Sequence, residues 1–198
     1  MLSQLWPALR INVFLTILLG VAYPLAVTGI SQLIFPHQAN GSLIAKGDQA
    51  IGSELIGQNF TKPEYFQPRP SAAGNDGYDP TASGGFNLGP TNQKLIDRVK
   101  ASVDKFHREN PDYHGPIPAD LLTGSGSGLD PDISPASAQA QAPRVAKARG
   151  ISVDRINRLV AQYTKPPDFG LLGEPRVNVL KLNLALDQQV PKTRGEAR

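Results

Sequence analysis

The sequence predicts an α+β protein, a single N-terminal transmembrane helix followed by a small mixed soluble domain. Three observations carry this. The segment Ile11–Phe35, INVFLTILLGVAYPLAVTGISQLIF, contains no charged residue. Beyond residue 90, apolar residues recur at helical spacing between stretches rich in Pro and Gly. Near the C-terminus, VNVLKLNLALD places leucines at every second position, the pattern of a strand. The expected organisation is an N-terminal cytoplasmic stub over 1–10, a transmembrane helix over 11–35 and a soluble domain over 36–198.

A helix over the uncharged segment would be about 37 Å long, enough to cross a hydrocarbon layer of about 30 Å with some tilt. Trp6 stands where an interfacial aromatic sits, and Pro36 stops the segment. A cleaved signal peptide would have a shorter apolar core and a clean small-residue cleavage site, so a retained anchor is the better reading. A buried helix of a soluble protein is the least favoured alternative for so long an apolar run. Within the span, Ala22, Ala26 and Gly29 fall at i, i+4 and i+7 and share one face. Small side chains there let another helix approach closely. Pro24 removes a backbone donor and is expected to kink the helix. Arg10 and the amino terminus precede the span, whereas the first basic residue after it is Lys46, followed by Asp48. The positive-inside rule therefore leans toward a cytoplasmic N-terminus and a periplasmic domain, by about one charge.

Composition narrows the function classes. A hydrophobic content of 40% with 19% charged residues is that of a folded protein and argues against wholesale disorder. The net charge of +3 is small and scattered, which excludes nucleic acid as a partner. With no cysteine, thiol catalysis, disulfides and thiolate metal sites are excluded. The 19 glycines and 18 prolines indicate a loop-rich domain.

The first part of the domain, KGDQAIGSELIGQNF, reads as a hairpin and turns, and YFQPRPSAAGNDGYDPTASGGFNLGP reads as an ordered loop. A helix follows, capped by Thr91 or Asn92, with Leu95, Val99, Val103 and Phe106 as its apolar stripe. Asp104 and Arg108 are spaced as an i,i+4 ion pair, and Asn110-Pro111 ends the helix. Ser134 and Pro135 mark the next helix start and Gly150 its stop. A further helix opens at Ser152 with Ile156, Leu159, Val160 and Tyr163 facing inward. The terminal strand would bury Leu180, Leu182, Leu184 and Leu186 on one face.

Candidate chemistry is thin. The stretch TGSGSGLDPDISP looks at first like a phosphate loop, but it lacks the Lys-Ser/Thr of the nucleoside triphosphate motif and the G-x-G-x-x-G spacing of the dinucleotide motif. Read as a calcium loop from Asp130, it has Pro135 where Gly is required and Gln141 where Glu is required. A structural turn is favoured, with an anion contact at the Ser134 helix start as the alternative. Arg69, between two prolines, could hold an anion, although contacts to carbonyls or a carboxylate are the commoner use of a loop arginine. His37, His107 and His114 lack metal-ligand spacing, and no nucleophile elbow occurs. No catalytic residue or metal site is expected.

The segments GSELIGQNF, YFQPRPSAAGNDGYDPTASGGFNLGPTN, IPADLLTGSGSGLDPDISPASA, RVAKARG and GEPRVNVLKLNLALD, in this order after one uncharged span, resemble the KdpC family. This is the C subunit of the bacterial Kdp potassium-transporting P-type ATPase. The resemblance covers nearly the whole chain. Phe86 departs from a common serine, and AQAQAP replaces an aromatic-containing stretch before Arg144. The resemblance implies a non-catalytic accessory subunit of the bacterial inner membrane. Its implied partners are a potassium-binding channel-like subunit, an ATP-hydrolysing pump subunit, a small membrane peptide and membrane lipid. It also implies a catalytic chaperone that raises the pump's ATP affinity, with Gln141 in Q-x-x-R as the nucleotide-binding residue; the commoner use of a glutamine on a helix face is to be solvated. No tightly bound cofactor is expected, and ATP would be met only through the complex. The D-K-T-G phosphorylation motif of P-type pumps is absent. The rival reading is a membrane-anchored enzyme or solute-binding module acting alone. Ser137 is expected to be exposed, a site for an engineered cysteine that would report topology.

Overall fold

In the computed structural model residues 2–189 are described, and the chain divides into two compact units, residues 1–53 and 54–198. In the first unit a short 3-10 turn, Leu2–Gln4, leads into helices α1 (Leu5–Ile17) and α2 (Tyr23–Ile34), joined by a π-turn at Leu18–Ala22. Together they form a 30-residue helix of mean hydropathy 2.1, none of whose most apolar stretch is buried. It is the one helix among the described residues long and apolar enough to cross a membrane.

The π-turn accounts for Pro24. A proline clashes with the carbonyl four residues back, here Gly20, and has no N–H to bond it. The backbone widens one turn earlier, so that Tyr23 N–H reaches Leu18 O, five residues back. Ala22 ends the π-turn, and Ala26 and Gly29 lie beyond it in α2. At the N-terminal end Arg10 lies over the Trp6 ring at 4.9 Å.

Helix α3 (Pro36–Ala39) follows, and then strands β1 (Leu43–Lys46) and β2 (Gln49–Ser53) pair antiparallel with a register shift after Ile44. The turn between them uses Gly47 at φ +64. Asn40 exchanges amide bonds with Gln32 at 3.2 Å and donates to Pro36 O at 2.7 Å, closing the end of α2 onto the loop.

The second unit holds α4 (Gln93–Glu109), β3 (Asp132–Ile133), α5 (Pro135–Arg149), α6 (Val153–Tyr163), β4 (Thr164–Lys165), β5 (Arg176–Asn178) and α7 (Val179–Gln189). The three strands form an antiparallel sheet in the order β3-β5-β4. α5 is central: Ala138, Ala142, Val145 and Ala146 are buried with α6 and β5 against it, in one cluster that also takes in residues of α7. Its small side chains allow the close approach that the flanking Ile156, Val160, Leu182 and Leu186 need. The local signals for α5 and α6 are used as expected. Ser134 and Ser152 cap them by accepting from Ser137 N–H and Arg155 N–H, and Gly150 ends α5 in the left-handed region at φ +66. Asn92, not Thr91, caps α4, and the ion pair on that helix is Lys105–Glu109 at 3.8 Å rather than Asp104–Arg108.

The C-terminal strand is the main correction. Only Arg176–Asn178 is extended, and the leucine-rich run is helical. Asn178 makes the switch, its Oδ1 accepting from Lys181 N–H at 3.0 Å as a helix cap. The alternating leucines concealed a broad helical face in which Val179, Leu180, Leu182, Asn183, Ala185 and Leu186 are all buried.

Candidate functional site

Of the polar side chains singled out by sequence, Arg69 lies in the long loop between β2 and α4, which has no regular structure of its own, and Gln141 binds it, whereas Ser134 does not. Two buried carboxamides grip this loop. On α7, Asn183 Oδ1 accepts from Phe66 N–H at 2.8 Å and its Nδ2 donates to Phe66 O at 2.9 Å. On α5, Gln141 Oε1 accepts from Gln67 N–H at 2.8 Å and its Nε2 donates to Gln67 O at 3.1 Å. A carboxamide carries an acceptor and donors side by side, so each one pairs with a peptide much as a neighbouring strand would. Both residues are 1% exposed.

Two arginines of α5 complete the grip. Arg144 donates to Pro63 O at 2.6 Å, Tyr65 O at 3.0 Å, Asn110 Oδ1 at 2.9 Å and Gln141 Oε1 at 2.7 Å. Burial pulls its pKa down to about 10, partly opposed by Glu109. Arg149 donates to Glu64 O and to Asp187 Oδ1, both at 2.8 Å, and lies over the Tyr65 ring at 5.1 Å. Gln141 Nε2 also donates to Ser137 O at 3.3 Å. Two acceptor bonds and two donor bonds use the full capacity of the amide, so a nucleotide could be read only by breaking one of them.

The remaining candidates are engaged in the same way. Arg69 Nη1 binds Asp130 at 2.7 Å and its Nη2 reaches Gly124 O at 3.4 Å, while Nε is buried with no acceptor. Ser134 meets an anion from within the chain. Its N–H donates to Asp120 Oδ2 at 2.8 Å, and its Oγ and the Ser137 Oγ donate to Asp120 Oδ1 at 3.1 and 2.6 Å. An aspartate carboxylate therefore occupies the positive end of α5. Ser137 is fully buried in this cluster, so it is not the exposed position expected.

The glycine-rich stretch is a packing hub. Ser127 O accepts from Gly84 N–H at 2.8 Å and Ser83 Oγ at 3.0 Å, and Gly128 O accepts from Ser71 Oγ at 2.6 Å. Leu129 O accepts from Gly57 N–H at 2.8 Å. Phe86 presses on Gly124 and carries Arg98 over its ring at 3.9 Å. Close by, Tyr78 adopts φ +61 and donates its hydroxyl to Arg69 O; burial, reinforced by Asp130, holds the phenol well above its usual range. Burial and Asp130 likewise raise the Asp132 carboxyl.

Arg69 and Gln141 line one cavity of about 360 Å³ together with Tyr78 and Lys105, and Ser134 lies outside it. Ala22, Ala26 and Gly29 belong to the other unit. Sequence reading missed Asn183, Arg149 and Asp120. The signal for Asn183 was a polar residue inside an apolar run, and for Asp120 a carboxylate ahead of the S-P helix start.

Comparison with known proteins gives the same picture across nearly the whole chain. The family described as K+-transporting ATPase, c chain, matches residues 5–188. The potassium-transporting ATPase KdpC subunit of Rhodospirillum rubrum is 58% identical over 191 residues, covering 96% of this chain and 98% of that protein. The corresponding subunits of Beijerinckia indica and Caulobacter vibrioides are 54% and 56% identical, each covering 96% of both chains. Fold and matches together define a transport-ATPase subunit with one long apolar helix and a small α+β domain. The chain belongs to the KdpC family.

Proposed function

We propose that this chain is a non-catalytic accessory subunit of an ATP-driven, high-affinity potassium uptake pump in a bacterial inner membrane. The observation that carries the reading is the family match over residues 5–188. The geometry supports it: Arg69, Ser134, Gln141 and Arg144 bind the domain's own backbone and carboxylates. Its partners are the potassium-binding subunit, the ATP-hydrolysing subunit and a small membrane peptide, with lipid around the apolar helix. The test is to produce the pump with and without this chain and measure potassium-dependent ATP hydrolysis and its KM for ATP. Without the chain, activity falls and the KM for ATP rises. Turnover by the isolated chain, or an unchanged pump without it, would contradict the reading.

The domain lies on the periplasmic side, held so by Arg10 and the amino terminus on the cytoplasmic side. ATP then never touches the domain, and any effect on nucleotide affinity passes through the membrane helices as coupling between distant sites. Because the protein has no cysteine, Ala101→Cys on the exposed side of α4 gives a clean reporter. Intact cells are expected to label with a membrane-impermeant thiol reagent. Labelling only after lysis would put the domain inside and return Gln141 to consideration as a nucleotide contact.

Within the membrane, the face of Ala22, Ala26 and Gly29 receives a partner helix. Ala26→Leu is therefore expected to reduce recovery of the other subunits with this chain, whereas the adjacent Leu25→Ala leaves recovery unchanged. Equal recovery with Ala26→Leu would remove this face from the interface.

A further inference from the structure

The loop joining β4 and β5, Pro166–Pro175, displays three large apolar side chains to solvent. Phe169 is 94% exposed, Leu171 87% and Leu172 63%. Scattered exposed apolar residues need no explanation, but three within four positions on one turn form a patch. The turn is also built to hold them still. Asp168 N–H donates to Leu172 O at 2.8 Å, and Leu171 and Leu172 N–H donate back to Asp168 O at 3.2 and 2.9 Å. The Asp168 carboxylate is clamped from both flanks, by Lys165 at 3.0 Å and Arg176 at 3.1 Å.

At the tip Phe169 and Gly170 have φ +56 and +75. Two successive positive φ values are the signature of a tight hairpin turn whose first position favours Asn, Asp or Gly. A phenylalanine there is strained, and such strain gathers at active sites, ligand clamps and switch regions. The chain thus holds an aromatic ring outside the domain in a conformation that the ring itself disfavours. Aromatic anchors presented rigidly are the residues that dominate protein interfaces.

Charge distinguishes the occupants. A loop that binds a bilayer through anionic headgroups carries free Lys or Arg. Here both cations flanking the tip are neutralised, Lys165 by Asp168 and Arg176 by Asp168 and Asp132, and the exposed Glu174 adds a negative charge. We propose that Phe169, Leu171 and Leu172 form a docking knob that inserts into an apolar pocket with a basic rim on another subunit of the same transport ATPase. This rests on the subunit reading given above.

Two experiments on the full complex test it. With p-benzoylphenylalanine in place of Phe169, irradiation of membranes is expected to attach this chain to another subunit of the ATPase, identified by mass spectrometry. An adduct with lipid, an adduct with a second copy of this chain, or no adduct within an assembled complex would each overturn the proposal. Phe169→Asn removes the ring but leaves Asn-Gly, the sequence this turn prefers, so folding is preserved. Its thermal midpoint in detergent is expected to equal or exceed the parent's, while retention of the other subunits on washing falls about tenfold. Equal retention would refute the knob. If the unaltered chain retains no subunit at all, the failure belongs to the subunit reading instead.

Discussion

Gln141→Leu is expected to destabilise the domain by about 2–4 kcal/mol, because it strands the N–H and C=O of half-buried Gln67 and one buried Arg144 donor. Leucine preserves most of the volume and apolar contact, so the loss reports the hydrogen bonds. Asn183→Leu is expected to act in the same way on Phe66. The two amides bracket neighbouring peptides of one segment, so the double variant should cost less than the sum of the single ones. Hydrogen exchange on the detergent-solubilised chain gives the local readout. In either variant the amides of Phe66 and Gln67 should lose protection before those of α6, and unchanged protection would show that other contacts hold the loop.

Gly128→Ala is the second large effect. A Cβ at this position would lie 2.6 Å from Gly84 O and 2.8 Å from Ala73 N, and the backbone is at φ +68. Backbone atoms cannot swing aside as a side-chain end can. Left-handed strain and the collision together should cost about 2–4 kcal/mol. Gly126→Ala, two residues earlier, is the control, since a Cβ there meets nothing within 4 Å. A large drop in unfolding midpoint is expected for the first variant and almost none for the second. Similar midpoints would mean that the loop moves freely and is not a packing hub.

These glycines show what sequence could and could not reveal. That TGSGSGLDPDISP fails the phosphate-loop and calcium-loop templates was legible, because those chemistries demand fixed residues at fixed spacing. That Gly128 is required and Gly126 is not was illegible, since the colliding atoms come from residues 73 and 84. Helices α5 and α6 were legible because their signals are local: a serine cap on each and, for α5, a proline in the first turn and a glycine stop. Helix α7 was misread because alternating leucines satisfy a strand, and the deciding group, the Asn178 cap, is a single side chain. That Phe66 and Gln67 lie in an ordered loop was legible from its Pro and Gly, but what holds that loop was not. Its partners, Gln141 and Asn183, lie 74 and 117 residues away in sequence. Gln141 drew notice through the family resemblance, whereas its bonds to Gln67 follow from the fold.

As a subunit of a transport ATPase, this chain is expected to work as a fixed part of a larger pump. Native mass spectrometry of the complex, purified from membranes through a tag on this chain alone, tests it most directly. The account predicts one dominant assembly in which this chain is present in fixed ratio with the potassium-binding and ATP-hydrolysing subunits. That assembly should show potassium-stimulated ATP hydrolysis. Recovery of the chain alone, or of an assembly lacking both of those subunits, would contradict the account.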